Sequence, residues 1–168
     1  GVTFFPSNMA MGAACADLEA PPPSWQLAYE VGRHGAEELA AMGVNMNLAP
    51  VLDVNTEPAN PVIGLRSFGA WPARVSELGA AFIRGTREAG VIAVAKHFPG
   101  HGGVSVDSHY GLPVLEASAD DLWAVELAPF RSAIAAGVEV IMSAHLAVPA
   151  LTGDHTPATL APQIMTDL

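Results

Sequence analysis

Reactive side chains are densest in one glycine-rich segment, which reads KHFPGHGG from Lys96 and continues to DSH at residues 107–109. Glycine and proline disfavour helix and strand, so the sequence predicts a long loop here. Loops of more than about 12 residues in a compact domain are usually functional or disordered. Because this segment holds three histidines and a lysine, we interpret it as a functional loop that handles protons or a ligand.

Asp107 and His109 are the pair in this loop best suited to proton transfer. Residues two apart in an extended segment point to the same side, so the carboxylate should reach the imidazole. An adjacent carboxylate fixes the ring tautomer and gives a group that can donate and accept a proton near neutral pH. A pair of solvated loop side chains is the alternative, because Asp-x-His spacings are common.

A repeat in the sequence predicts the elements that position this loop. Gly-Val pairs begin at residues 43, 90 and 137, at intervals of 47 residues, and each separates an alanine-rich amphipathic stretch from a short apolar run. Glycine suits the left-handed residue that ends a helix, and a β-branched run suits a buried parallel strand. The pattern predicts three helices and three strands, namely helices at about 25–42, 72–89 and 119–136 and strands at 44–49, 91–95 and 138–142.

Helix followed by strand, three times over, is typical of an α/β fold with a parallel sheet. Ser24 and Ser118 are candidate N-caps, and Pro129 should kink or split the third helix. At 47 residues per unit the chain of 168 residues holds about three and a half units, whereas a closed barrel needs eight. We therefore predict a (β/α)8 TIM-type barrel present as an incomplete central part, with residues 1–168 as one partial domain truncated at both ends. The pattern alone does not separate a barrel from an open doubly wound sheet.

Polar side chains follow each predicted strand. They are Asn47, Asp53 and Asn55 after the first, Lys96 and His97 after the second, and Ser143 and His145 after the third. The carboxyl ends of the strands form the active-site face of a β/α barrel, and an open parallel sheet binds its ligands at the same edge. We therefore expect these side chains to converge.

Composition excludes several classes of function. A formal net charge of −10 with only seven Lys and Arg residues argues against a nucleic-acid surface and against an anionic membrane surface. No apolar run is long enough to span a bilayer. The single Cys15 allows no disulfide within the chain. A small molecule is the expected partner.

Several motifs together resemble a known family. Beside KHFPGHG and DSH, the chain carries NLAPVLDVN at 47–55, PVIGLRSFG at 61–69, MSAH at 142–145 and PATL at 157–160, with Phe5-Pro6 and Asn8-Met9-Ala10 before them. In this order the blocks resemble the N-terminal domain of glycoside hydrolase family 3, in its bacterial β-N-acetylglucosaminidase (β-hexosaminidase) subgroup. They cover nearly the whole chain.

The resemblance implies a retaining glycosidase that cleaves terminal β-linked N-acetylglucosamine, for example from peptidoglycan fragments, and that needs no metal or other cofactor. His109 matches the family's histidine acid/base, and Asp107 matches its dyad partner. Arg66, Lys96 and His97 match side chains that hold the sugar hydroxyls and the N-acetyl group. A surface ion pair is the alternative for Arg66.

Three further polar residues are candidate site residues without an assigned role. His101 either braces the loop by a hydrogen bond or contacts substrate. Asp53 is expected to make structural hydrogen bonds more than to contact the sugar. His145 is either a buried, hydrogen-bonded histidine of the site wall or a ligand contact.

The family's nucleophile is an Asp on the strand after the helix that follows PATL, and Asp167 does not match it. We therefore expect the isolated chain to be inactive although the parent protein is an enzyme. The compartment and the oligomeric state stay open, with the cytoplasm favoured and an exported form an alternative.

Three other functions are consistent with the residues. A metal-dependent hydrolase could use His97, His101, His109 and Asp107 as ligands, although the glycines make this loop too pliable for a preformed site. A non-catalytic sugar-binding barrel would have no need of a proton-transfer dyad. A β-N-acetylglucosaminide phosphorylase is the third, because a histidine acid/base does not repel an incoming phosphate as a carboxylate would.

Overall fold

The computed structural model describes residues 2–15 and 25–168. Helices alternate with parallel strands, as the sequence predicts. The helices are α1 (Asn8–Ala14), α2 (Gln26–Ala41), α3 (Pro72–Glu88), α4 (Ala119–Asp121), α5 (Ala128–Ala135), α6 (Pro149–Thr152) and α7 (Pro162–Met165), and the strands are β1 (Met46–Asn47), β2 (Ile92–Phe98) and β3 (Val140–Ser143). Short 3-10 turns lie at Gly64–Arg66 and Ala158–Leu160, and a π-helical turn at Leu122–Glu126.

The three strands form one parallel sheet in the order β1-β2-β3, which confirms the predicted α/β class with a parallel sheet. Each strand is preceded by a glycine that ends the helix before it. Gly43, Gly90 and Gly137 have φ values of 80°, 78° and 83°, in the left-handed region that glycine enters without steric cost. The repeat in the sequence therefore marks three equivalent turns from helix to strand.

All three strands differ from the predicted ranges, and β3 begins two residues later and ends one residue later than 138–142. β1 covers only Met46–Asn47 of the predicted 44–49. Beyond it the N–H of Ala49 donates to the carbonyl of Asn47 at 2.8 Å, and the pairing with β2 continues as a bridge between Val51 and Lys96. β2 is longer than 91–95 and continues to Phe98. Lys96 and His97 therefore lie within the strand, where the backbone is fixed by the sheet, and not in the loop after it.

The third predicted helix is split, as expected from Pro129. Ser118 caps α4 by accepting the N–H of Asp121 at 3.1 Å, and the π-helical turn then leads into α5, which has Pro129 in its first turn. The candidate cap Ser24 lies outside the described residues.

Two apolar clusters form the core. The larger one fills the space between the sheet, α2, α3 and α5, and it includes Leu52, Phe68, Leu78 and Phe130. The smaller one lies under the loop that follows β2 and is built from other segments, namely Val104, Leu115, Leu122, Leu127, Ala144, Leu146, Val148, Ala158, Ala161 and Ile164.

Helices α2 and α3 touch through glycine. A Cβ on Gly85 would lie 2.2 Å from the carbonyl oxygen of Tyr29, and a Cβ on Gly32 would lie 2.4 Å from that of Phe82. No real Cβ contact is that short, so both positions need glycine for the two backbones to approach.

We predict that Gly85→Ala lowers the free energy of unfolding by roughly 1–3 kcal/mol, because α3 must move away from α2. Gly35→Ala on α2 is the matched control, since its Cβ would meet only a ring carbon of Phe5 at an ordinary 3.7 Å. It should stabilise the helix by up to about 1 kcal/mol. Urea unfolding followed by circular dichroism measures both, and equal effects of the two substitutions would contradict the close helix contact.

Candidate active site

The predicted site residues converge on one cavity at the carboxyl ends of β2 and β3. Five of them line it, namely Arg66, His97, His101, His109 and His145. Val62, Ser108, Met142, Ser143 and Ala144 complete the lining. Asp107 contacts His109, Asp53 contacts His97, and Lys96 precedes His97 in β2, so these three surround the cavity without lining it.

Asp107 and His109 form the expected contact, with 2.6 Å between Nδ1 of His109 and Oδ1 of Asp107. The expectation of an extended backbone is wrong, because the pair lies in a tight turn. The backbone N–H of His109 donates to Oδ1 of Asp107 at 2.9 Å, and the carbonyl of Asp107 accepts the N–H groups of Tyr110 and Gly111. An aspartate that accepts the backbone N–H two residues on is a common way to begin such a turn.

The electrostatics of this pair suit proton exchange at the other ring nitrogen. The backbone N–H of His109, followed by its ring, lowers the pKa of Asp107, so the carboxylate stays ionised at neutral pH. An ionised Asp107 accepts the proton on Nδ1 of His109. Nε2 is then the nitrogen that can exchange a proton with a ligand. The His109 side chain is 75% exposed, so this nitrogen has access to the cavity mouth.

The carboxylate of Asp53 contacts both the backbone and the ring of His97. This fully buried carboxylate lies 2.7 Å from Nδ1 of His97 through Oδ2, while Oδ1 accepts the backbone N–H groups of His97 and His101 at 3.2 and 2.7 Å. Ser67 donates its hydroxyl to the Asp53 carbonyl at 2.6 Å. Because the carboxylate has no exposed surface, it can act on a ligand only through His97, which fits the structural role expected for it.

Two cations border the cavity. Nη1 of Arg66 donates to the carbonyl of Val62 at 3.0 Å, and Nη2 lies 3.4 Å from Nε2 of His97. No carboxylate pairs with Arg66 among the residues the structure describes, so the surface ion pair weighed from the sequence is absent there. Burial lowers the pKa of Lys96, and the nearby charge of Arg66 lowers it further while Asp53 opposes the shift. Arg66 lines the cavity, and its guanidinium N–H groups suit oxygen acceptors.

His101 braces the loop through its backbone and not through its ring. Besides the bond to Asp53, its carbonyl accepts Nδ2 of Asn60 at 2.8 Å. The ring is 3% exposed, and neither ring nitrogen has a hydrogen-bond partner among the described residues. Burial lowers the pKa of His101, which favours the neutral imidazole.

Of the two alternatives for His145, the structure does not show the buried histidine. His145 is exposed at the cavity edge, where its Nδ1 lies 3.1 Å from Oγ1 of Thr159. It lies two residues after the end of β3, between the buried residues Ala144 and Leu146.

Asn60 and Glu126 are site-supporting residues that the sequence analysis missed. Oδ1 of Asn60 accepts the N–H groups of Val62 and Ile63, so this side chain shapes the loop that leads to Arg66. Glu126 is a buried carboxyl group behind the loop after β2. A signal existed for Glu126, because it occupies the position four residues after Leu122 and four before Phe130, both of which are core residues.

Within residues 2–15 and 25–168, no three His, Cys, Asp or Glu side chains come together in a way that could hold a metal ion. None of the helices described is long and apolar enough to cross a membrane.

The sequence profile described as "Glycosyl hydrolase family 3 N terminal domain" matches residues 1–168, and the chain belongs to this family. It is 40% identical to beta-hexosaminidase A of Pseudoalteromonas piscicida over 177 residues, which cover 99% of the chain and 29% of that protein. It is 41% identical to a beta-hexosaminidase of Thiobacillus denitrificans, covering 94% of the chain and 43% of the relative. The chain thus spans less than half the length of these curated relatives.

Solved structures agree in fold. A glycoside hydrolase family 3 beta-N-acetylglucosaminidase from Paenibacillus superposes with a TM-score of 0.91 at 47% identity, over 98% of this chain and 30% of that one. Native NagZ from Neisseria gonorrhoeae superposes with a TM-score of 0.91 at 36% identity, over 100% of this chain and 48% of that one. The predicted fold is confirmed, since the three β/α units are part of a TIM-type barrel.

We predict that Asp53→Asn disturbs the site more than its small change in volume suggests. The amide offers one acceptor where the carboxylate offers two, so a buried donor of His97 or His101 loses its partner, which costs roughly 1–3 kcal/mol of stability. Nitrogen-15 NMR should show that Nδ1 of His97 is no longer the sole protonated ring nitrogen. Asp154→Asn, at an exposed aspartate, is the matched control and should leave the His97 tautomer unchanged. An unchanged His97 tautomer in Asp53→Asn would contradict the role assigned to Asp53.

Proposed function

We propose that the whole protein hydrolyses terminal β-linked N-acetylglucosamine by a retaining mechanism in which His109 is the general acid/base. The observation that carries this proposal is the contact of His109 with Asp107 at the mouth of a cavity that Arg66 and His97 also line. If Asp107 and His109 were only solvated loop side chains, we would not expect them to lie beside a cavity lined by other basic side chains. Membership of glycoside hydrolase family 3 supports the same reaction.

In the proposed first step a carboxylate attacks the anomeric carbon while Nε2–H of His109 gives its proton to the glycosidic oxygen, which leaves with the aglycone. In the second step neutral His109 takes a proton from water, and the oxygen of that water displaces the enzyme carboxylate from the anomeric carbon. Asp107 stays ionised throughout and stabilises the protonated ring before the first step and after the second. Among the residues that the structure describes, the cavity lining contains no carboxylate. We propose that another segment of the whole protein contributes the nucleophile.

Arg66, Lys96 and His97 are proposed to hold the sugar. The bond to Asp53 fixes the proton of His97 on Nδ1, so Nε2 accepts a hydrogen bond from Arg66 or from a sugar hydroxyl. The guanidinium and the ammonium donate to hydroxyl oxygens and to the acetamido carbonyl. An uncharged N-acetylhexosamine offers hydroxyl and carbonyl oxygen acceptors besides its hydroxyl and amide N–H donors, and these acceptors match the donors on this wall. The similarity to a structure named beta-N-acetylglucosaminidase supports N-acetylglucosamine as the sugar. A peptidoglycan fragment is the proposed natural source of this sugar.

We predict that the isolated 168-residue chain does not turn over a chromogenic N-acetyl-β-glucosaminide. Among the described residues, the cavity lining holds the proposed acid/base His109 but no carboxylate that could attack the sugar. N-acetylglucosamine should nevertheless shift the NMR signals of His97 and Arg66. Clear turnover that His109→Ala abolishes would contradict the assignment of the nucleophile to another part of the protein.

In the whole protein, His109→Ala should lower kcat by roughly 100- to 10,000-fold on a substrate with a poor leaving group. The loss should be smaller for a nitrophenyl glycoside in the first step, because that leaving group needs little protonation. His34→Ala is the control, since His34 is an exposed histidine paired with Glu30 and Glu37 on α2. Equal losses for both leaving groups would count against His109 as the general acid.

Comparing product formation with and without inorganic phosphate separates hydrolysis from phosphorolysis. Formation of a glycosyl phosphate would identify the protein as a phosphorylase and would contradict hydrolysis. Sugar binding without any turnover by the whole protein would instead identify a non-catalytic binding barrel.

A further inference from the structure

Glu126 is a buried acidic residue that the proposed mechanism does not use. It ends the π-helical turn Leu122–Glu126 and is 5% exposed, and its Oε2 has no hydrogen-bond partner among the described residues. Burying a carboxyl group away from water costs free energy unless it is paired or neutral. Burial raises the pKa of Glu126, and the charge of Asp121 adds to this, although the backbone N–H of Glu126 opposes it. We therefore expect the buried carboxyl group of Glu126 to support a neighbouring part of the structure.

Glu126 packs directly on the turn that follows His97. A Cβ on Gly100 would lie 2.7 Å from both Cβ and Cγ of Glu126, so the loop backbone rests on the aliphatic part of this side chain. A Cβ on Gly103 would lie 3.4 Å from its Oε1 and 3.2 Å from Oγ1 of Thr56. The carboxyl group therefore borders the far end of the same turn. Leucine or phenylalanine would not reproduce this narrow, unbranched shape beside two glycines.

The opposite side of the turn is held by polar contacts. Asp53 accepts the N–H of His101, and Asn60 donates to its carbonyl. The carbonyl of Gly102 accepts the N–H of Glu57 at 3.2 Å. The turn at residues 100–103 is thus held between the segment at residues 53–60 and Glu126, and His101 of this turn lines the cavity together with His97 of β2.

We propose that Glu126 is a positioning residue for the sugar-binding wall: by supporting the turn at residues 100–103 from behind, it keeps the backbone of His101 on the Asp53 carboxylate, which also holds the ring of His97. It acts on sugar binding through these residues. The dyad lies on a separate turn at residues 107–111, which is closed by its own hydrogen bonds, so proton transfer does not depend on Glu126. This inference rests on the proposed function for its kinetic consequence and not for its structural one.

Three variants of the whole protein test the proposal. Glu126→Ala removes the support, and Glu126→Gln keeps its volume and hydrogen-bonding capacity without a charge. Thr86→Ala is the control for a general loss of stability, because Thr86 is fully buried between α2 and α3 and bonds the carbonyl of Phe82 at 2.9 Å, away from the loop. Hydrogen exchange at the amides of His97 and His101, KM for an N-acetyl-β-glucosaminide, and the pH dependence of kcat are measured for each.

Glu126→Ala should speed exchange at both amides and raise KM roughly 10- to 100-fold, because a displaced binding wall costs affinity, while the pH dependence of kcat keeps its shape. Glu126→Gln should restore both toward the wild type. Thr86→Ala should change neither, even where it lowers Tm by as much as Glu126→Ala.

Unchanged loop exchange and KM in Glu126→Ala, or a Gln variant as impaired as the Ala variant, would overturn the positioning role. If the wild-type protein shows no turnover, the proposed function fails, and the exchange measurement still decides whether Glu126 holds the turn.

Discussion

The buried carboxylate of Asp53 is the contact on which the geometry of the site depends. A carboxylate without solvent exposure is stable only where donors surround it, and here the donors are the backbone and ring of His97 and the backbone of His101. These groups lie on a different β/α unit from Asp53. One ionic group thus ties the exit of β1 to the end of β2, and the parallel sheet alone could not fix the direction of the His97 ring.

From this contact the binding wall is built outward. The ring of His97 has its Nδ1 engaged below, which turns Nε2 toward Arg66 and the cavity. Arg66 is placed by its own backbone, since Nδ2 of Asn8 donates to its carbonyl at 2.7 Å. The positive side of the cavity is therefore preorganised by groups that never touch a ligand. Preorganised donors lose little conformational freedom on binding, so more of their interaction energy appears as affinity.

The acid/base pair is held in a different way. His109 is 75% exposed and Asp107 24%, whereas Asp53 is fully buried, so the two carboxylate–imidazole pairs have opposite environments. The exposed pair keeps its geometry through an aspartate turn closed by its own backbone. Such a turn can shift as a unit without breaking the dyad, since few buried contacts anchor it. In the proposed mechanism this freedom suits a general acid that follows a departing aglycone, while rigidity suits the wall proposed to hold the sugar.

This difference also explains which parts of the molecule the sequence could predict. The dyad is a contact between residues two apart, and the helix-ending glycines and the Ser118 cap are equally local, so composition and spacing were sufficient to predict them. Asp53 and His97 are 44 residues apart, and Gly100 and Glu126 are 26 residues apart (126 − 100), so no local pattern indicates either contact. The length of β1 and the exposure of His145 likewise depend on how neighbouring segments pack. Motif resemblance indicates the residues proposed to touch the sugar, whereas the buried residues that position them follow only from the three-dimensional structure.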